Sequence, residues 1–343
     1  MGKTEGAEGA PGAYAAQRRK MAPEADFGAP AEWDGTLTNS SRATFMNCRK
    51  KWEYEYIRRL APRRVSIPFL VGGLFHDGLD RMYKVGAFDA EEFEEQVVLP
   101  KCEQAAEQCL EPGQSDDVWM QRAVVMGMLK GYAKAYLKGD MASYKILRAE
   151  ESFAIPLEKG RQYMGKRDLL VMDRKTEKLV LFEHKTTSRL DGGYLAKLPL
   201  DNQILGYAWS VGKLMGRLPE RVVYNVAKKP GIRQKASETF EEFAARVEQE
   251  YVLEPARYFY RETIHFSKAD IDRFYAGLGP IAGEMERCVK TNFFYQNTGH
   301  CTTYGACQYM PLCVNGVNKE TLAQYRVKDS SHEELEIQGG QEQ

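Results

Sequence analysis

The chain has 343 residues, 43% hydrophobic and 28% charged, enough to bury a large core in one or two domains. Lys plus Arg equal Asp plus Glu at 48 each, which excludes a global field that binds polyanions indiscriminately and leaves any nucleic-acid contact to local patches. Seven cysteines is an odd count, no apolar run reaches the length of a membrane span, and the N-terminus lacks the apolar core of a secretory signal, so a reducing, cytoplasmic setting without a membrane partner is expected.

In chain order, residues 1–35 are rich in Gly, Ala and Pro without apolar periodicity and read as a disordered tail. Gly2-Lys3-Thr4 ends like a phosphate loop but has no upstream glycine or strand, so no ATP motor is implied. Residues 36–327 carry no repeat or long linker and read as one domain. Within it, 36–145 reads as helical: Ser40 and Ser41 can cap the first helix, and Val71, Phe75, Leu79 and Met82 recur at helical spacing. A core at 146–230 follows, with strands at Glu151–Leu157, Tyr163–Met172 and Leu179–Glu183, a turn at 173–176, a helix from Asp201 and a strand at Arg221–Ala227. Residues 231–327 return to helical patterns at Thr239–Tyr260 and Lys268–Val289 and end in a cysteine clasp, and 328–343 reads as a disordered acidic tail. The fold class is mixed α/β with a helical front.

The chemistry concentrates where the apolar strand Leu179–Phe182 ends in Glu183, His184 and Lys185. Strand alternation puts Glu183 and Lys185 on one face and His184 on the other. A carboxylate there can hold a hard divalent cation, while an ammonium orients or deprotonates a water and offsets charge on a phosphate. A Glu-X-Lys alone is more often a surface ion pair. Asp168, in the neighbouring hairpin strand, changes that balance, because two carboxylates held close need a cation or a proton between them. His76 follows Gly72-Gly73 on a helix, and Gln203 and Tyr207 form an i, i+4 pair on another.

In this order the residues resemble the PD-(D/E)XK nuclease superfamily, in particular its RecB-like branch with the AddB nuclease domain and the CRISPR adaptation nucleases. The likeness spans roughly residues 38–314: a glycine-then-histidine helix (Gly72 to His76), an acid in a Gly-X-X-Asp turn (Gly165 to Asp168), a Glu-X-Lys strand (Glu183 to Lys185) and a Gln-X-X-X-Tyr helix (Gln203 to Tyr207). The resemblance implies a restriction-endonuclease-like core, a mixed sheet flanked by helices. It implies His76, Asp168 and Glu183 as ligands of Mg2+ or Mn2+, catalysis by Asp168, Glu183 and Lys185, and substrate contacts from Gln203 and Tyr207. Glu151 is an acid that related nucleases sometimes use, and Lys166 and Arg167 flank Asp168 either as strand contacts or as a solvated turn.

Four cysteines are split across the chain, Cys48 before these motifs and Cys301, Cys307 and Cys313 after them. Such thiolates share a metal only if the two ends of the fold meet. Several members of the branch hold an iron-sulfur cluster with one cysteine before and three after, which implies a [4Fe-4S] cluster here. The five residues between Cys301 and Cys307 depart from the usual two, and His300 can substitute for a cysteine. Structural zinc and free buried thiols are the alternatives, whereas Cys102, Cys109 and Cys288 read as core residues. Two basic runs, Arg49–Arg64 interleaved with Trp52, Tyr54 and Tyr56, and Lys228–Lys235, suit either a nucleic-acid path or solvated surfaces. The expected function is metal-dependent DNA hydrolysis, from ends because no recognition module is visible, with a helicase or recombinase as partner. The rival is a non-cleaving DNA-binding or scaffold subunit.

Overall fold

In the computed structural model, residues 32–109, 113–303 and 305–335 are described, so Gly2-Lys3-Thr4 lies outside them. Strands β1 (Thr36–Leu37), β3 (Tyr144–Pro156), β4 (Gln162–Asp173), β5 (Leu179–Thr187), β6 (Arg221–Lys228) and β7 (Phe259–Ile264) form one mixed sheet. Strands β2 (Leu60–Pro62) and β8 (Tyr325–Val327) pair antiparallel beside it.

The central strands are apolar on both sides because both faces are covered. Leu169, Val171, Val180, Phe182 and Val223 pack under the helices Ile67–Val85, Gln114–Tyr132 and Phe240–Leu253. Leu170, Leu179, Leu181, Val222 and Val226 pack under Asn39–Asn47, Asn202–Met215 and Lys268–Thr291 on the opposite face. This is the expected mixed sheet flanked by helices, and the expected helical face of Val71, Phe75, Leu79 and Met82 is fully buried.

Strand β4 positions the site. One edge pairs with β3 along its whole length, while the other is shared, taken by β1 at Gln162–Tyr163 and by β5 at Leu169–Met172. Past the Leu169–Phe182 pair β4 and β5 splay, and the carboxylate of Asp168 takes the place of a ladder carbonyl by accepting the His184 N–H at 2.6 Å.

Some boundaries differ from the sequence reading. Strand β3 begins at Tyr144 rather than Glu151, with a register shift between Ile146 and Arg148. Gly165 lies inside β4 opposite Phe153, not in a turn. The helical pattern expected to reach Tyr260 breaks at Glu254 and resumes for one turn at Pro255–Tyr258, after which β7 is a strand because its backbone completes the β6 edge. Residues 328–335 dock rather than extend freely: Lys328 N donates to Arg59 O at 2.7 Å and Ser331 Oγ to Tyr56 O at 2.8 Å. Among the described residues no helix is long and apolar enough to cross a membrane.

Candidate active site

At the end of β5, alternation places His184 among Tyr83, Tyr132 and Phe182, with its Nδ1 2.8 Å from Asn225 Nδ2. Glu183 and Lys185 share the other face. The Lys185 ammonium donates to Glu183 Oε1 and, at 3.1 Å, to Gln203 Oε1. Gln203 Nε2 in turn donates to Tyr207 OH at 3.2 Å, so the i, i+4 pair on the Asn202–Met215 helix reaches the centre through one chain of hydrogen bonds.

Across the splay, His76 Nδ1 lies 3.0 Å from Glu150 Oε1 and 3.5 Å from Asp168 Oδ1. The donor atoms of His76, Glu150 and Asp168 all lie within 4.8 Å of one another. Glu183 stands outside that tight set, held by Lys185, yet within electrostatic reach of Asp168 and His76.

Glu150 is the acid that sequence alternation missed, with Glu151 taken in its place. The register shift near Leu147 and a left-handed Glu150 (φ 48°) break the alternation. Ala149 packs on the helical layer that carries His76, and Glu150 faces it too; Glu151 turns to the other side and pairs with Arg167. A left-handed backbone at a non-glycine residue costs about 1–3 kcal/mol and persists where the surroundings dictate it. The consecutive acids were visible in the sequence, but the bulge that selects between them was not. Lys166 Nζ sits 2.8 Å from Glu150 Oε2, and Arg167 is buried over Phe153 and donates to Ser210, so it is a packing residue.

Burial and the close approach of opposite charges set the protonation of the site, and although burial opposes a charged Glu150, His76 and Lys166 hold its carboxyl below the ordinary value. Burial, then the neighbouring Asp168, lift the Glu183 carboxyl to about 8 against the pull of Lys185. Asp168 is raised by burial despite His76 and Lys185. Burial opposes a charged His76, but Asp168 and Glu150 outweigh it and hold the imidazole near 9. Burial likewise opposes a charged Lys185, and Glu183 and Asp168 reverse the effect, keeping it well above its ordinary value. The two carboxylates and imidazole of Glu150, Asp168 and His76 are a donor set that suits a divalent cation, which would take the place of the His76 proton.

The family model of the PD-(D/E)XK nuclease superfamily matches residues 36–314. The chain belongs to the PD-(D/E)XK nuclease superfamily. Nucleases of this superfamily use divalent metals, in keeping with the His76, Glu150 and Asp168 set. No curated protein matches the chain. Among solved structures, the crystal structure of SSO0001 aligns over 84% of this chain and 90% of its own at 11% identity, with a TM-score of 0.32, too distant to add to the assignment.

In this PD-(D/E)XK chain the aromatic ring of Phe153 and that of Tyr207 lie over Gly165, where an added Cβ would come within 2.8 Å of Phe153 and 3.0 Å of Tyr207. That close approach is the structural use of the glycine. Burial raises Cys301 and lifts Cys313 to about 11, and in each case Cys307 and Cys48 push further in the same direction; among the described residues, however, no three cysteine sulfurs lie within 4.8 Å of one another as the donor atoms of His76, Glu150 and Asp168 do. All four are free, and Cys48 Sγ accepts the Asn297 N–H at 3.4 Å. The basic run at 49–64 is less available than its composition suggests. Trp52, Tyr54 and Tyr56 are buried, Arg49 pairs with Glu284, and Lys50 and Arg58 flank the buried Glu53. The second run lies on irregular chain after β6, with Arg233 and Lys235 exposed.

Proposed function

We propose that the chain is a Mg2+- or Mn2+-dependent deoxyribonuclease of the RecB-like branch that degrades DNA from its ends. The observation that carries this is the meeting of Glu150, Asp168, Glu183, His76 and Lys185 at the splay of β4 and β5, inside the span matched by the family. A cation bound by His76, Glu150 and Asp168 would supply Lewis-acid charge against a phosphate. Lys185, held protonated between Glu183 and Gln203, donates to the attacking water or a phosphate oxygen and offsets the growing negative charge. Its raised pKa makes it a donor at neutral pH rather than a base. Gln203 and Tyr207 fix the direction of that ammonium.

For the distal site, the favoured reading is a [4Fe-4S] cluster on Cys48, Cys301, Cys307 and Cys313, with zinc as the alternative. The split placement of these cysteines and the packing of Cys307 and Cys313 in the small core beside the β2–β8 pair support that reading. A helicase or recombinase that exposes DNA ends is the corresponding partner, in a reducing cytoplasm. Incubation with linear and circular, single- and double-stranded DNA tests the reading. Chelator-sensitive loss of linear DNA with circular DNA spared is expected; equal loss of both makes it an endonuclease, and no loss with Mg2+ or Mn2+ favours the non-cleaving subunit.

A further inference from the structure

A groove of about 630 Å³ is walled by the helix Asn39–Asn47, the Lys197–Asn202 turn and the helix Lys268–Thr291. Its lining includes Arg42, Lys197 and Arg273, of which Arg273 is paired with Asp270, and one carboxylate, Asp201, among the described residues. Arg42 is only 5% exposed, and Asp201 is the carboxylate that acts on it electrostatically, without a direct ion pair among the described residues. Its guanidinium has one hydrogen bond, from Nη2 to Asn39 Oδ1 at 3.3 Å, and lies over the Phe274 ring at 5.1 Å. Asp201 is committed elsewhere, its Oδ1 accepting the Gln203 N–H at 2.7 Å.

Burial pulls the pKa of this guanidinium down, and Tyr163 and Asp201 only partly oppose it, so an added anion in the groove is favoured. Arginine's planar fork matches phosphate oxygens, which would complete its hydrogen bonds. The groove also connects with the chemistry. Asn202 and Leu205 line it, while Gln203 on the same turn contacts Lys185. Tyr163, whose buried hydroxyl has no hydrogen-bond partner among the described residues, responds electrostatically to both Arg42 and Glu183.

We propose that this groove is a phosphate subsite, in which Arg42, assisted at the rim by Lys197, holds a phosphate of the substrate strand next to the one being cut. The subsite rests on the nuclease reading for the identity of its polyanion. The occupant is either an internal phosphodiester or a terminal phosphate monoester, the same chemistry from two sources.

The test uses full-length Lys185→Ala protein, with Ca2+ as the cation, titrated with short fluorescent single strands carrying either a 5′-phosphate or a 5′-hydroxyl over a salt series. Adding Arg42→Met is expected to weaken binding about tenfold and to lower the slope of log affinity on log salt by about one. A loss confined to the phosphorylated strand identifies a terminal phosphate, and an equal loss on both strands an internal one. Lys197 is exposed, so Lys197→Ala tests the site in a variant whose folding is not at stake, with a smaller loss of the same kind expected. Unchanged affinity and slope in both variants overturn the subsite; if the native chain still degrades DNA, the nuclease reading survives that result. Absence of DNA binding by the parent protein overturns both.

Discussion

At the residue scale, the site depends on which of two consecutive acids faces His76. Glu150 Oε1 lies 3.0 Å from the imidazole, whereas Glu151 bonds Arg148 and Arg167. Glu150→Gln is therefore expected to weaken Mn2+ binding about 10- to 100-fold, and Glu151→Gln to leave it unchanged. Calorimetric titration of each variant decides, and the reverse ranking contradicts the assignment. Protonation gives a second prediction. Glu183 rises from 4.5 to about 8 and His76 from 6.5 to about 9 in the metal-free fold, so each binds its proton more tightly folded than unfolded. Their contribution is fully present below the unfolded values and is lost as pH climbs through the folded ones. Glu150 is lowered, so its contribution changes only in the acid range. With chelator present, Tm is expected to fall between pH about 6 and 9, and saturating Mn2+, which displaces those protons, flattens the decline. A chelated protein whose Tm rises over that window contradicts this charge balance.

At the scale of elements, the Glu-X-Lys strand, the Gln203 helix and the His76 helix were legible because apolar periodicity and abrupt ionisable residues mark them in one dimension. Asp168 was legible as the neighbour of Glu183 because a short turn forces the hairpin; Asp173 Oδ1 accepts the N–H groups of Lys175 and Thr176 and closes it. Strand β7 was not, because Phe259–Ile264 carries three polar residues and follows a helix directly, and only pairing with β6 makes it a strand. Its Arg261 explains one of them. The guanidinium bonds both carboxylate oxygens of buried Asp140 at 2.7 Å and Asn225 at 3.1 Å, while Tyr83 and Tyr132 close the network under His184. Removing one partner strands a buried charge, so Arg261→Met is expected to cost about 3–5 kcal/mol. Urea denaturation measures it, and a loss below about 1 kcal/mol, the scale of a surface pair, contradicts the network's role.

At the scale of the molecule, early and late segments of the described chain meet. Strands β2 and β8 pair, Tyr309 OH donates to Leu60 O at 2.7 Å, and Tyr54, Tyr309 and Tyr325 form a small core against Cys307 and Cys313. The sequence announced this closure through its split cysteines, but not the aromatic packing around them, which joins residues roughly 250 positions apart, a separation no local pattern encodes. An iron-sulfur occupant predicts that anaerobically prepared protein is coloured and contains iron, and that Cys48→Ser loses both along with thermal stability. Colourless protein loaded with zinc contradicts the cluster.

The carboxylates and Lys185 sit on the central sheet, whereas Cys307 and Cys313 pack beside the separate β2–β8 pair. The most direct test is degradation of linear DNA with Mg2+ or Mn2+ by the native chain and by Lys185→Ala, each confirmed folded by circular dichroism. The expected result is chelator-sensitive degradation by the native chain and a loss of at least about a hundredfold in the variant. Undiminished metal-dependent degradation by Lys185→Ala would contradict the assignment of this site.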